Sequence, residues 1–391
     1  MKPTIERKTF LFQINVTRDC NLRCTHCYIS SDKKAQSKFM TDDQFLEVFR
    51  QITDFLCKDE QGQNRIGMAD IHVIGGEPTM LGLDFFERTL PRIRELLGSV
   101  SGKEIKLGIV TNLVTQDALD IARLFDAVST SYEFETRFVN PKTGKPKPAL
   151  ERMWQNNVRT LQNEGRNVAV TMAITRPATD IGARHILDYF YDNGFYNIHL
   201  GFFIPSGDGL RFIDDVFPPF EATTEFLKTA TDWYLERRLA DEKLYINPIE
   251  SMIDAIYHDI AIDDIVCPII PGSLDIDWDG ETVTCIEAGG EVGFDSLGNI
   301  FTHGIEGILA GAKYRRERAK AISPKPHCIG CDEFQSCQSA CGILHGFWNG
   351  EGECPGFKGF IKHVRALVEA GVKPKQVAIR EKFEQEAAVN G

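Results

Sequence analysis

The 391-residue chain has 44 Lys and Arg against 56 Asp and Glu, and its formal net charge is -12. Such an acidic protein is a poor partner for nucleic acid, because phosphate binding relies on Lys and Arg. The N-terminal apolar run is too short for a signal peptide, and no segment of about 18 uncharged apolar residues follows it. We therefore expect a cytoplasmic protein with neither a membrane nor a nucleic-acid partner.

The first predicted strand, residues 9–16, leads into a loop with three cysteines, Cys20, Cys24 and Cys27, spaced C-x3-C-x2-C. Eleven cysteines in a long chain without a secretory signal are metal ligands more often than a disulfide framework. Three soft thiolates would leave one iron of a four-iron, four-sulfur cluster open to a substrate or cofactor. Zinc is the alternative, although structural zinc usually takes four ligands arranged as two separated pairs.

A capping box of Thr41 with Gln44 predicts a helix over 41–56. The next strand, 70–74, runs into Gly75-Gly76-Glu77-Pro78, although a Gly-Gly pair alone usually marks only a turn. Strands and helices then alternate: strands at 106–111, 127–132, 167–174 and 196–204, and helices at 84–97, 116–125, 148–164 and 180–193.

Six strands, each except the last followed by a helix, predict a parallel sheet with right-handed crossovers. Six units are too few for a closed eight-stranded barrel, so we expect an α/β fold of the partial (β/α)6 TIM type. Ligands of such folds bind at the C-terminal ends of the strands. The cysteine loop, the Gly-Gly-Glu-Pro segment and Asn112 all fall there, which predicts one site at this rim.

The cysteine loop followed by Tyr28, together with Gly75-Gly76-Glu77-Pro78 after the second strand, resembles the radical S-adenosylmethionine (SAM) enzymes. In that family, the open iron of a 4Fe-4S cluster chelates the amino and carboxylate groups of the methionine moiety. The resemblance implies that the three cysteines hold this cluster and that Tyr28 and residues 75–78 bind SAM.

The same resemblance assigns two further cofactor residues. Asn112 lies where relatives have Thr-Asn-Gly, with Leu113 in place of the glycine, and Ser131 lies where many have Ser-x-Asp-Gly. The Asp-Gly is missing here, and Glu133 is a candidate for an unusual substrate pocket, with a solvated loop as the alternative. His199 on the sixth strand is a candidate cavity residue, although a lone histidine is more often hydrogen-bonded structure than catalyst.

Helices are predicted over 219–240 and 248–260, and a cysteine-rich region begins at residue 267. The Asp-Gly dipeptide at 279–280 predicts a β-hairpin over 273–286. Seven cysteines fit one pattern: Cys267, Cys285, Cys328, Cys331, Cys337, Cys341 and Cys354. Zinc is again the alternative, because Cys-x2-Cys pairs are common zinc ligands.

This pattern resembles the SPASM extension of radical SAM enzymes, which holds two auxiliary 4Fe-4S clusters. The resemblance implies an outer cluster on Cys328, Cys331, Cys337 and Cys354 and an inner cluster on Cys267, Cys285 and Cys341. Three clusters would need eleven ligands, three plus four plus four, whereas these motifs supply ten cysteines. Some relatives have a further cysteine six residues after the Cys267 position, where this chain has Ser273. We expect an open iron or a non-cysteine ligand at the inner cluster.

Sulfatase-maturing relatives carry aspartate, a candidate base, directly after the cysteine that corresponds to Cys285. This chain has Ile286 there and Glu287 one residue later, which disfavours that activity. Glu287 is a candidate base or ligand, although an exposed hairpin carboxylate is the more common situation.

The resemblance implies an enzyme in which a donor such as flavodoxin or ferredoxin reduces the first cluster. SAM is then cleaved to methionine and a deoxyadenosyl radical, which abstracts hydrogen from an unactivated carbon while the protein positions the substrate and excludes water. Relatives with the SPASM extension commonly form carbon-carbon or carbon-sulfur cross-links in ribosomally made peptides, so a peptide is the leading substrate. Many of them begin with a leader-recognition domain, for which a first strand at residue 9 leaves no room.

Two other functions stay open. One is sulfur insertion or dehydrogenation of a small-molecule metabolite at an open auxiliary iron, and the other is a non-enzymatic electron carrier. The carrier is disfavoured because it needs no cofactor cavity. The expected regions are a radical SAM barrel at 1–215, a helical connection at 216–262, a SPASM domain at 263–360 and a helical tail at 361–391.

Overall fold

The computed structural model describes residues 8–59, 66–140, 142–262 and 265–390, and within these ranges nine strands form one sheet. The strands are β1 (Lys8–Asn15), β2 (Ile66–Ile74), β3 (Glu104–Val110), β4 (Ala127–Ser131), β5 (Val168–Ile174), β6 (Asn197–Phe202), β7 (Tyr245–Asn247), β8 (Ser273–Ile276) and β9 (Thr282–Val283). Their order across the sheet is β7-β6-β5-β4-β3-β2-β1-β8-β9. Each neighbouring pair from β7 to β8 is parallel, whereas β9 is antiparallel to β8.

The helices are α1 (Ser31–Gln36), α2 (Asp42–Lys58), α3 (Leu83–Gly98), α4 (Ala118–Arg123), α5 (Pro148–Asn163), α6 (Arg176–Ile181), α7 (Ala183–Asp192), α8 (Gly207–Arg211), α9 (Ile213–Val216), α10 (Phe220–Arg237), α11 (Ile249–Tyr257), α12 (Ile300–Ala310), α13 (Ala312–Ile322), α14 (Phe334–Cys337), α15 (Lys358–Glu369) and α16 (Lys375–Asn390). Helix α2 begins with the predicted capping box between Thr41 and Gln44. Of the helices in the described ranges, none is long and apolar enough to cross a membrane.

The six predicted strands are present as β1 to β6, with helices after each of the first five, which confirms the partial TIM-type α/β barrel. On β5, Val170 and Met172 are fully buried, whereas Thr171 between them is only partly buried. On β1, Phe12 packs edge-on against Phe55 of α2, with ring centroids 6.2 Å apart. Alternate strand residues therefore divide between an apolar core under the helices and a more polar opposite face.

Strand β7 falls inside the region predicted as a helical connection, and it extends the sheet beyond β6. With three residues, it is too short to show the alternation from which strands are predicted. The predicted helix over 180–193 is divided into α6 and α7 by Gly182 at φ +91°. Glycine adopts this conformation at little cost, which ends α6. Helices α12 and α13 were not predicted.

The predicted hairpin at 273–286 is present as β8 and β9, and its first strand also extends the barrel sheet. Strand β8 runs parallel to β1, with Leu11 opposite Ser273 and Ile14 opposite Ile276. The cysteine-rich region is therefore joined to the barrel by backbone hydrogen bonds. The region limits at 215, 262 and 360 stay predictions.

A buried ion cluster ties the loop after β1 to this hairpin. Arg18 Nη2 lies 2.9 Å from Asp275 Oδ1, and Arg18 Nε lies 3.0 Å from Asp277 Oδ1. Lys33 Nζ lies 2.7 Å from Asp277 Oδ2, and Asn15 Nδ2 donates to Asp275 Oδ1 at 2.7 Å. Arg18 is 0% exposed, and although burial opposes its charge, the two carboxylates raise its pKa. The cation therefore stays charged inside the protein.

We expect Arg18→Met to lower the free energy of unfolding by about 3–5 kcal/mol, because it leaves the buried Asp275 without its cation and Asp277 with Lys33 alone. Urea unfolding of the full chain without oxygen measures the change. The control is Arg88→Met, which removes an exposed pair in which Arg88 Nε donates to Asp42 at 2.8 Å. Exposed pairs contribute little, so equal losses in the two variants would contradict this prediction.

Candidate active site

The three N-terminal cysteines lie in the loop between β1 and α1, at the C-terminal end of the sheet. Cys24 is buried, whereas Cys20 and Cys27 are half-buried. Burial, reinforced by the Glu77 carboxylate, raises the pKa of the Cys20 thiol to about 12. Burial likewise raises the pKa of Cys24 to about 12. Thiolates in this loop therefore need a positive partner such as a metal centre.

Hydrogen-bond donors already face the sulfur of Cys20. The N–H of Leu22 donates to its Sγ at 3.3 Å, and Asn112 Nδ2 lies 3.8 Å from the same atom. Asn112 Nδ2 also donates to Asn21 Oδ1 at 2.7 Å. Donors of this kind tune cluster-bound thiolates. The end of β3 thus meets the cysteine loop.

The Gly-Gly-Glu-Pro segment packs against the residues just before the cysteine loop. The N–H of Gly76 donates to the Thr17 carbonyl and that of Glu77 to the Asp19 carbonyl, both at 2.9 Å. A Cβ atom on Gly76 would overlap the Asp19 carbonyl oxygen, and one on Gly75 would overlap that of Thr17. Both glycines are therefore needed for this close backbone approach.

The Glu77 carboxylate is a buried junction between the ends of β2 and β3, with 1% of its surface exposed. Its Oε1 accepts from the Thr79 N–H at 3.1 Å, the Thr79 hydroxyl at 2.6 Å and the Thr111 hydroxyl at 2.7 Å. Its Oε2 accepts from the Asn112 N–H at 2.7 Å. Burial raises the pKa of Glu77 despite these bonds. Oε2 retains an acceptor site for one further donor. Pro78 begins the short 3-10 turn that follows.

Leu113 stands where the family motif has glycine, and its φ of +55° is the left-handed conformation typical of glycine. This conformation costs a non-glycine residue about 1–2 kcal/mol, an amount comparable to the gain from burying a leucine side chain. The Leu113 side chain is 0% exposed. Ser131 ends β4 opposite Thr171 of β5, at the same end of the sheet.

Glu133 is buried in an ion network behind the cysteine loop, with 5% of its surface exposed, rather than lying in a solvated loop. Its Oε2 lies 3.0 Å from both His26 Nε2 and Arg137 Nη1. Burial opposes ionisation, but His26 and Arg137 outweigh it and lower the pKa of Glu133 to about 2. The Arg137 carbonyl oxygen in turn lies 3.5 Å from Cys24 Sγ.

Two glycine turns hold the backbone at Tyr28. A Cβ atom on Gly207 or on Gly290 would overlap the Tyr28 carbonyl oxygen. The N–H of Ser30 donates to the Gly290 carbonyl at 2.9 Å. The cysteine loop is thus packed between the segment after β6 and the turn that follows Cys285.

Asp208, next to Gly207, fixes helix α1. It accepts from the Ser31 N–H at 2.8 Å, and its Oδ2 lies 3.1 Å from Lys34 Nζ. Although burial opposes the charge on Lys34, Cys27 and Asp208 raise its pKa. Lys34 is thus a buried cation at the end of the cysteine loop.

Four C-terminal cysteines line one cavity of about 300 Å³. They are Cys328, Cys331, Cys337 and Cys354, the set expected at the outer cluster. His327, His345 and Trp348 complete much of its wall. Four thiols around one space form the donor set of a 4Fe-4S cluster. In the described part of the chain, no three or more Cys, His, Asp and Glu are arranged to hold a single metal ion.

Glu287 is half-buried beside the inner cysteines and is not the exposed hairpin carboxylate that its position in the sequence suggests. Cys285 Sγ donates to Glu287 Oε2 at 2.8 Å. Burial and the Glu287 carboxylate raise the pKa of Cys267 and Cys285, and they raise that of Cys341 to about 11. Burial also raises the pKa of Glu287.

His199 lies in the middle of β6, opposite Thr171 of β5 and Asn247 of β7. It is half-buried between the buried residues Ile198 and Leu200. It therefore lies on the same, more polar face of the sheet as Thr171, as the alternation of residues along the strand predicts.

Comparison with known families gives two matches. Residues 14–190 match the radical SAM superfamily. Residues 14–190 are therefore a radical SAM domain. Residues 267–332 of this radical SAM enzyme match SPASM, described as an iron-sulfur cluster-binding domain. The enzyme therefore uses SAM and iron-sulfur clusters, and the donor sets described above fit both. A search of curated proteins found no match.

Solved structures share the fold of this radical SAM enzyme at low sequence identity. Native anSMEcpe with bound AdoMet and the Kp18Cys peptide has a TM-score of 0.70 and 16% identity, covering 92% of this chain and 98% of that one. Streptococcus suis SuiB bound to S-adenosylmethionine has a TM-score of 0.59 and 15% identity, covering 89% of this chain and 76% of that one. The similarity therefore extends through the cysteine-rich region.

Three ion pairs at the site were not predicted: Arg18 with Asp275, Lys34 with Asp208, and His26 with Glu133. The first two pairs join residues 257 and 174 positions apart, which only the fold brings together. One signal was available in the sequence. Arg18, His26 and Lys34 flank or lie inside the cysteine loop, where thiolates attract positive charge.

We expect Gly76→Ala to reduce both the iron bound after reconstitution and the rate of SAM cleavage, the latter by about 100-fold. The added Cβ would displace the Asp19 carbonyl and with it the start of the cysteine loop. Iron analysis and deoxyadenosine formation measure the two effects. In the control, Gly98→Ala, the Cβ meets nothing within 4 Å. Full iron and normal cleavage in the Gly76 variant would refute the prediction.

We expect Glu133→Gln to lower the free energy of unfolding by about 3 kcal/mol at neutral pH, because Arg137 loses its buried counter-charge. A pKa lowered from 4.5 to about 2 stabilises the fold wherever the group is ionised. The difference between wild type and variant is therefore complete above pH 4.5 and fades as the pH falls toward 2.

Denaturant unfolding of the full chain across this pH range measures the effect. The control is Glu135→Gln, which changes an exposed carboxylate two positions away. If the control lost the same stability with the same pH dependence, the buried pairs of Glu133 with His26 and Arg137 would not be the cause of the loss.

Proposed function

We propose that this enzyme reductively cleaves SAM and abstracts hydrogen from a peptide, forming a carbon-carbon or carbon-sulfur cross-link in a ribosomally made peptide. The main support is the extent of the shared fold. It covers 92% of this chain in the comparison with anSMEcpe, whose structure holds AdoMet and a Kp18Cys peptide. It covers 88% in the comparison with SuiB bound to its precursor peptide SuiA, at 15% identity.

In this proposal, Cys20, Cys24 and Cys27 hold the first cluster, which together with SAM supplies the hydrogen-abstracting chemistry. Residues 75–78, Tyr28, Asn112 and Ser131 bind SAM. The free acceptor site on Glu77 Oε2 suits the methionine ammonium, because the three bonds at Oε1 already orient the carboxylate.

We further propose three 4Fe-4S clusters in total. The outer cluster would occupy the cavity lined by Cys328, Cys331, Cys337 and Cys354. The inner cluster would take Cys267, Cys285 and Cys341. A one-electron donor such as flavodoxin or ferredoxin would supply the reducing electron.

Glu133 enters the proposal as a positioning residue and not as a base. A carboxyl group with a pKa of about 2 is a weak proton acceptor at neutral pH. Its bonds to His26 and Arg137 instead hold the back of the cysteine loop. His199, on the polar side of β6, and Glu287, beside the inner cysteines, are the groups that we propose contact substrate or cluster.

A surface pocket of about 560 Å³ supports a peptide substrate. Four aromatic side chains line it: Phe217, Phe220, Phe347 and Trp348. Trp348 also lines the outer cysteine cavity, so the two spaces are neighbours. Aromatic pockets are typical binding sites for apolar peptide side chains.

Chemistry on a small-molecule metabolite is the second candidate function. It is favoured by the missing ligand, because only ten cysteines are available for eleven ligand positions. An open auxiliary iron would bind a sulfide or a substrate thiol directly. The reaction would be a sulfur insertion or a dehydrogenation.

The test uses the full chain reconstituted with iron and sulfide, a chemical reductant and SAM. We expect wild type to release deoxyadenosine, Cys24→Ser to fall to the background rate, and Cys57→Ser to match wild type. Cys57 is the matched control because it is a half-buried cysteine in the last turn of α2, outside the cluster motifs.

Mass spectrometry then separates the two substrate classes. A peptide encoded beside the gene is expected to lose two hydrogen atoms for each cross-link formed. Deoxyadenosine release without any change in such peptides, but with turnover of a metabolite, would favour the second function. Absence of deoxyadenosine from wild type would sink both.

A further inference from the structure

The inner cluster in the proposed function lacks one protein ligand. The structure limits which residues are able to supply that ligand. Cys267, Cys285 and Cys341 provide three thiolates for four irons. The inference that follows rests on the three-cluster proposal and concerns only this fourth position.

Ser273 and Cys57, the two residues that would be considered first, are unsuitable as the fourth ligand. Ser273 stands where some relatives have a cysteine, but its hydroxyl donates to the Thr284 carbonyl at 2.7 Å, and it is 3% exposed within β8. Cys57 lies in the last turn of α2, which packs against α3 and α12 and lies outside the hairpin. Neither side chain is available to an iron near Cys285.

Nearby aspartates are also committed elsewhere. Asp275 accepts from Arg18 at 2.9 Å, and Asp277 lies 3.0 Å from Arg18 and 2.7 Å from Lys33. Turning either carboxylate toward a cluster would remove a counter-charge from the buried Arg18, and turning Asp277 would also leave Lys33 unpaired.

Glu287 is different. It follows Cys285 on a 3-10 turn, Ile286–Gly289, and its Oε2 lies 2.8 Å from the Cys285 sulfur. Within the described ranges, Glu287 forms no ion pair with a Lys, Arg or His. A half-buried carboxylate that contacts a thiol and has no cation partner is costly unless a metal centre compensates it.

We propose that the Glu287 carboxylate is the fourth protein ligand of the inner auxiliary cluster. The 3-10 turn brings it into contact with the sulfur of Cys285, two residues earlier in the chain. Carboxylate oxygen is a harder ligand than thiolate, so its bond to a cluster iron is the more readily exchanged of the two. The inner cluster would then be closed at rest and open to a stronger ligand.

The experiment uses the reconstituted full chain and begins with iron and sulfide analysis. Three clusters require about twelve irons per chain. Saturating S-adenosylhomocysteine, which keeps the amino and carboxylate groups but is not a sulfonium and is not cleaved, then occupies the open iron of the first cluster. Cyanide, a strong ligand for an open iron, is titrated while the reduced protein is followed by electron paramagnetic resonance. Wild type is compared with Glu287→Gln, Glu287→Cys and the control Glu291→Gln, which changes an exposed carboxylate in the same loop.

We expect Glu287→Gln to bind cyanide at a concentration at least about tenfold lower than wild type, a difference of about 1.4 kcal/mol. Glu287→Cys should resist cyanide more than wild type, because thiolate is the stronger ligand, and Glu291→Gln should match wild type. If Glu287→Gln instead loses about four irons while Glu287→Cys retains about twelve, the ligand role is equally supported.

The two levels of the proposal fail in different ways. About eight irons in wild type would contradict the three-cluster arrangement itself. About twelve irons in wild type, with the same cyanide response in Glu287→Gln and Glu291→Gln, would overturn the assignment of Glu287 alone.

Discussion

The architecture of the site depends on one buried cation, Arg18, which joins two parts of the chain that are distant in sequence. Its bonds to Asp275 and Asp277 hold the loop after β1 against the hairpin that leads to Cys285. Charges this deeply buried are tolerated only when their geometry and partners are well matched. The barrel and the cysteine-rich region therefore share one electrostatic core as well as one sheet.

Around this core, the cysteine loop is supported by close contacts between backbone segments. Gly76 allows the end of β2 to touch the residues before Cys20, while Gly207 and Gly290 approach the Tyr28 carbonyl from two other segments. A side chain at any of the three glycines would separate these segments. The loop is thus held by neighbouring backbone on several sides, in addition to the bonds of its own side chains such as His26.

The sequence was most informative where the evidence is local. The spacings around Cys20 and Cys328 and the glycines at 75–76 are short motifs, and the six βα units follow from periodicity. Pairing partners were not predictable, because Arg18 and Asp275 meet only when β8 joins β1. For the same reason, Glu287 looked like an exposed hairpin residue until the inner cysteines were placed beside it. Strand β7 was missed because three residues show no period.

The contact between the Tyr28 carbonyl and Gly290 has a consequence for how the protein matures. Ser30 also donates to the Gly290 carbonyl, so the loop of the first cluster and the turn after Cys285 are bound to each other directly. Metal insertion at either loop would order both, and the second insertion would then cost less conformational entropy than the first. With clusters at both loops, as proposed, their assembly would therefore be cooperative, and partly loaded chains would be scarce under limiting iron.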